Sequence, residues 1–304
     1  MTRARLVYCV GPSAKMRFLN RFAPRPGARG REVASYFRIA PSKLPRDRAR
    51  IMRAAAARRA THKEWPMRGI VGYTGTQPAA QALADALKHL ECDAASTAGC
   101  AVEQDGRFQV MRCANSAEKP AEATSPLGAG GTCGIGHASW ATNGAPDAGS
   151  ASSQELCAAV VAVALDGTVE NAAELRQKLV MRGHTFAGYT GAEVVAHLVE
   201  EAYVDDLLQA VRTACKRLMG SFALVVASGR EPGVLVAARQ DLPLVVGRNA
   251  EGAYAASDPR ALSDVLHEVV ELGEGMFAKL TVTESYYFTT QGEELYEPET
   301  TPVA

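Results

Sequence analysis

The chain has 304 residues, 47% of them hydrophobic and 22% charged, enough to bury a core in one large domain or two ordinary ones. Its formal net charge is zero, yet residues 1–66 hold 17 Lys and Arg against 3 Asp and Glu, so the remainder is acidic by the same margin. The longest purely apolar run, Leu156 to Leu165, is far short of the roughly 20 residues that cross a bilayer, so no membrane-spanning helix is expected.

In chain order, residues 1–66 read as a basic, acid-poor extension. Pro and Gly in "RFAPRPGARGRE" break helices and predict disorder, whereas "RDRARIMRAAAARRATHKEW" has the Ala and Arg content of a basic helix. Three accounts compete: a start read too far upstream with Met67 the true beginning, an import segment, or an electrostatic arm. The first is favoured, and no aromatic interleaving supports a nucleic-acid partner.

From Met67, short apolar runs predict strands at "GIVGY", "GCAVE", "CGIGHA", "AAVVAVAL", "FALVVAS", "VLVAAR", "PLVVG", "AYAAS" and "FAKLTV". An amphipathic helix should follow the first of them. Asn171 with Glu174 and Thr190 with Glu193 have capping-box spacing, and Asp258-Pro259 places a cap before a proline. Strands come in clusters instead of alternating with helices, which favours α+β layers over a doubly wound sheet. "GAGG" at Gly128 to Gly131 lacks a following Gly-Lys-Ser/Thr and reads as a loop.

Seven scattered cysteines with no C-x-x-C pair predict buried thiols in a reducing, cytoplasmic setting, and neither a disulfide framework nor a structural zinc site. Six dispersed histidines show no H-x-x-x-H or H-E-x-x-H spacing, so no metal ligands and no cofactor are expected. His184, in the "RGHTF" turn, shows no partner. His137 reads as a strand-end histidine.

Six motifs in order, "MRGIVGY", "GIGHASWATNG", "LDGTVENAAEL", "RGHTFAGYTGAEVVAHLV", "LMGSFALVVAS" and "LPLVVGRN…YAASDPRAL", resemble the glutaminase domain of the glutamine–fructose-6-phosphate aminotransferases (isomerising). These are type-2 glutamine amidotransferases. The resemblance spans residues 67–290 and implies a four-layer αββα N-terminal-nucleophile sandwich. It leaves 291–304 as a tail, with the isomerase domains absent.

In such enzymes an N-terminal cysteine attacks the glutamine amide, its own α-amine takes the proton, and an asparagine side chain with a glycine N–H holds the oxyanion. Here Arg68 stands at the nucleophile position. A guanidinium, with a pKa of about 12.5–13.8, offers no lone pair for attack. Asp166 stands for the oxyanion asparagine, and Gly167 is kept. Ser139 replaces the arginine that grips the glutamine carboxylate, Trp140 and Thr142 are kept, Asn143 stands for a histidine, and Gly191 replaces the aspartate that binds the substrate amine. A carboxylate at Asp166 would repel an oxyanion. Arg68 and Asp166 either pair across the old site or stand as two solvated replacements. Neither Cys92 nor Cys100 has an α-amine to serve as base.

The resemblance with these departures implies a glutaminase-like domain without glutaminase activity, a regulatory module or a gene remnant, partnered if at all by an aminotransferase or synthase subunit. The alternative is an active amidotransferase subunit that delivers ammonia for amino-sugar synthesis. The residues imply no membrane or nucleic-acid partner.

Overall fold

Strand β1 (Arg68–Gly75) is buried on both faces, which is why it reads as a continuous apolar run. The computed structural model describes residues 68–90, 95–114, 130–140, 160–295 and 298–303. The basic helix expected in the first 66 residues and the loop at "GAGG", except Gly130 and Gly131, lie outside them.

Two antiparallel sheets form the centre. The first joins β1 to β2 (Ala95–Gln104), β3 (Arg107–Ala114), β4 (Cys133–Trp140), β8 (Val245–Arg248), β9 (Gly252–Ala256), β10 (Glu268–Glu271) and β14 (Thr301–Pro302). Their order is β14-β10-β8-β9-β1-β4-β2-β3. The second holds β5 (Val161–Gly167), β6 (Phe222–Ser228), β7 (Leu235–Gln240), β11 (Phe277–Leu280), β12 (Ser285–Phe288) and β13 (Glu294–Leu295). Its order is β13-β12-β11-β7-β6-β5. All nine expected strands are present. Residues 291–304, expected as a tail, contribute β13 and β14 to the sheet edges.

Strand alternation assigns side chains to layers. Along β1, Ile70 enters the core between the sheets, while Val71 and Tyr73 face outward. Helix α1 (Ala79–His89) covers that outer face with Leu83 and Leu87. On β5, Ala162 and Ala164 face the other sheet, whereas Val161, Val163 and Leu165 face a layer of helices. That layer comprises α2 (Ala172–Met181), α3 (Gly191–Ala202) and α4 (Leu207–Cys215). Helix, sheet, sheet, helix is the four-layer αββα sandwich the family resemblance implies.

The sheets approach closely where β1 crosses the second sheet. A Cβ placed on Gly72 would lie 2.7 Å from Val225 Cγ1 and 3.2 Å from Leu235 Cδ1. Real Cβ atoms do not come that near, so the second glycine of "GIVGY" sets the separation of the layers.

Two caps differ from their predicted form. Asn171 precedes α2 but does not cap it; its amide donates to the Arg217 carbonyl at 2.8 Å and accepts from the Met219 N–H at 3.0 Å, tying α2 to the loop after α4. Thr190 does cap α3, accepting from the Glu193 N–H at 3.2 Å. The Glu193 carboxylate, however, turns back to the preceding loop. Asp258 caps only a short 3-10 turn, Pro259–Leu262, with the proline at its start.

Candidate functional site

Arg68 opens β1 and is the cross-strand partner of Ser139 near the end of β4, while Trp140 lies opposite Ala95. Two positions singled out by the sequence therefore face each other across one ladder at the same end of the first sheet. The Arg68, Ser139 and Trp140 side chains lie outside the described residues, as do Thr142 and Asn143 entirely. A pairing of Arg68 with Asp166 is outside them for the same reason.

Asp166 and Gly167 close β5, opposite Ala223 and Phe222 of β6. β5 lies against β1 and β4 across the sheet interface, so both sheets reach this region. Asp166 has the same strand parity as Ala162 and Ala164, which face the interface, and is half-buried. Gly167 has φ of 95°, a region that costs most L-residues strain. A Cβ there would also lie 2.3 Å from the Ser221 carbonyl oxygen, so the chain leaves β5 by a turn only glycine accommodates.

Gly191 is the first residue of α3, after the Thr190 cap. Its ideal Cβ lies 3.1 Å from Leu165 Cδ2 and 3.5 Å from Val169 Cβ, so it is set against the end of β5 and the residues just after it. Leu165 faces the helix layer, so a larger residue at 191 would press into that core. Gly191 and the Asp166–Gly167 pair are thus brought to the same end of β5.

The segment leading into α3 is held from both sides. Glu193, nearly fully buried, accepts from the Ala187 N–H at 2.5 Å and the Gly188 N–H at 2.9 Å. Arg176 on α2 donates to the Gly188 carbonyl, and its guanidinium lies 4.4 Å from the Phe186 ring centroid and 4.3 Å from that of Tyr189. Buried charge is satisfied by backbone donors, and the loop is fixed as a consequence.

The same loop corrects one expectation. His184 does have a partner: its Nδ1 is 3.2 Å from Nδ1 of His197 on α3, and that atom is 3.3 Å from Glu200 Oε2. The 13-residue separation of the histidines fits no familiar ligand spacing. The "HLVE" stretch from His197 to Glu200, one helical turn apart, was the available signal.

No replacement nucleophile emerges from the thiols described. Burial pushes the Cys133 and Cys215 thiols up to about 12, which leaves them protonated at neutral pH. Cys100 is buried in β2 under α1, and Cys92 lies outside the described residues. His137 is buried within β4 opposite Ile70 and Gly99. A separate cavity of about 240 Å³ opens on the helix side of the second sheet, lined by Arg212, Lys216, Phe222, Arg239 and Phe277 among others. It lies on the face of β6 opposite to that turned toward the first sheet.

Comparison with known proteins places these observations. Residues 145–264 match the family model described as a glutamine amidotransferase domain. The glutamine–fructose-6-phosphate aminotransferase (isomerizing) of Mycobacterium bovis is 38% identical over 223 residues, covering 71% of this chain and 36% of that protein. Its Thermus thermophilus counterpart is 39% identical over 215 residues, covering 71% of this chain and 35% of that protein. The chain thus spans about a third of the length of these relatives. By structure, the glutamine phosphoribosylpyrophosphate amidotransferase of B. subtilis aligns with a TM-score of 0.59 at 20% identity, over 73% of this chain and 49% of that one, a likeness of fold. The chain carries a glutamine amidotransferase domain, of the type-2, N-terminal-nucleophile kind found in the glutaminase part of the isomerizing aminotransferases.

Proposed function

We propose that this domain keeps the glutaminase scaffold without glutamine hydrolysis, and serves as a binding or regulatory module for an aminotransferase or synthase subunit. The observation that carries the reading is Arg68 at the head of β1, where the family's chemistry requires a cysteine with a free amine.

The other altered positions support the same reading. Ser139 lies across the ladder from Arg68, where the family's carboxylate-gripping arginine is expected. Asp166 would bring negative charge where negative charge must develop in an acyl-transfer intermediate. Gly191 can make no charged contact to an amine. Arg68 and Asp166 lie on strands that pack against each other across the sheet interface. On this reading the folded module runs from β1 through β14. The aminotransferase partner follows from the names of relatives that share only this third of their length.

Glutamate release from glutamine by the purified full chain tests the reading, with a chain starting at residue 68 and carrying Arg68→Cys measured beside it. Neither should rise above the contaminant background, because Ser139, Asp166 and Gly191 fail the substrate as well. Loss of a nucleophile alone can cost on the order of 10⁶ in rate. Turnover by the full chain would restore the amidotransferase reading. Turnover only in the variant would confine the damage to one residue.

A further inference from the structure

We propose that His184, His197 and Glu200 form a binding site for one divalent transition-metal ion of the zinc class, joining the turn after α2 to helix α3. Three side chains converge: one ligand atom of each of His184, His197 and Glu200 lies within 4.8 Å of the others, and His197 Nδ1 is 3.2 Å from His184 Nδ1 and 3.3 Å from Glu200 Oε2. Zinc bound to imidazole nitrogen and carboxylate oxygen at about 2.0–2.2 Å in a tetrahedron spaces neighbouring ligand atoms about 3.3–3.5 Å apart. The two short separations match that edge.

The proton inventory favours a cation. A neutral imidazole carries one N–H, and His197 Nδ1 sits between a second ring nitrogen and a carboxylate oxygen. A single proton on that nitrogen must be shared between two acceptors, whereas a metal ion takes a lone pair from each of the three atoms. The set of two histidines and one carboxylate leaves a fourth position for water.

The surroundings hold the ligands in place. Helical spacing puts His197 and Glu200 on one face of α3. The His184 N–H donates to the Leu179 carbonyl at 3.1 Å, which fixes the turn. Phe186 meets the His197 ring edge-on, with centroids 4.4 Å apart, and Arg176 covers the other part of Phe186. The His197 and Glu200 side chains keep 17% and 28% of their surface exposed, enough for an ion to enter from solvent. An ion here would pin His184–Thr190, the segment that delivers Gly191 to the end of β5.

The test is calorimetric titration of chelator-treated full-length protein with Zn²⁺, and with Co²⁺ followed by visible absorption. One equivalent should bind, with the intense visible band of low-coordinate Co²⁺. His197→Gln and Glu200→Gln should each weaken binding by at least about 10-fold. His89→Gln, at a surface histidine paired with Asp264, should leave it unchanged. Circular dichroism identifies any variant that fails to fold, and the other ligand variant then carries the comparison. Absence of stoichiometric binding, or affinity that persists in both folded ligand variants, overturns the site.

Discussion

The layer between the sheets and the layer beneath α3 and α4 are both fully buried, yet they are built from different residues. Between the sheets the side chains are small: Ala162, Ala164, Ala223, Ala237, Ala253 and Ala255 dominate, with Gly72 at the closest approach. Beneath the helices they are large, with Leu175, Leu179, Leu198, Leu207 and Phe222. Small residues let two pleated surfaces close on each other, whereas a cylinder on a sheet leaves grooves that only long side chains fill. The consequence for function is positional. Asp166 and Arg68, on which the proposed function rests, lie on strands lining the tight layer, so any change in sheet spacing displaces them.

The largest expected effect lies in the helix layer. Leu198 is fully buried on α3, and Leu198→Ala removes methyl groups whose place the rigid sheet cannot fill. A loss of about 2–5 kcal/mol in chemical denaturation is expected. A loss well under that range would mean the helices relax onto the sheet and that the layers are less distinct than described.

The tight layer should fail in the opposite sense, by excess volume. Gly72→Ala places a methyl 2.7 Å from Val225 Cγ1, and overpacking of this kind costs about 1–3 kcal/mol. Adding Val225→Ala removes the opposing methyl, so the double variant should recover part of the loss, a coupling readable in a denaturation cycle. Strict additivity of the two changes would break the assignment of Gly72 as the spacer.

How much of this was readable beforehand follows from the same contrast. Strands buried on both faces announce themselves as apolar runs, and "FALVVAS" matched β6 residue for residue. Strands at or next to the ends of the first sheet were harder. β3 alternates polar and apolar residues, and β10 is two valines between glutamates, so neither forms a run. The ladder that pairs Arg68 with Ser139 was not legible, since register depends on the partner strand. The His184–His197–Glu200 cluster was hidden because one ligand comes from a turn whose direction is set by Glu193 and Arg176. The reversed role of Glu193 was equally hidden. A capping-box spacing says where the carboxylate could go, not that two other N–H groups, of Ala187 and Gly188, would claim it.

The smallest effect belongs outside both layers, at the turn Pro259–Leu262, which lays Ala261 and Leu262 against the outer face of the first sheet beside α1. Asp258 accepts from the Arg260 N–H at 2.9 Å and from its guanidinium at 2.6 Å. Burial raises the Asp258 carboxyl, but the Arg260 side-chain and backbone hydrogen bonds outweigh it and hold the group below its ordinary value of 3.8. A carboxyl depressed by folding stabilises the protein above its unfolded value, and that stability is lost as pH falls through the lower folded value. Asp258→Asn keeps an acceptor but loses the charge, so its deficit at neutral pH should be about 0.5–1 kcal/mol. Melting the two proteins side by side from pH 7 downward should show that deficit shrink once the pH passes below about 4. A deficit that stays constant to pH 3 would mean geometry and not charge secures this turn, and the outer layer would then rest on packing alone, like the two inside it.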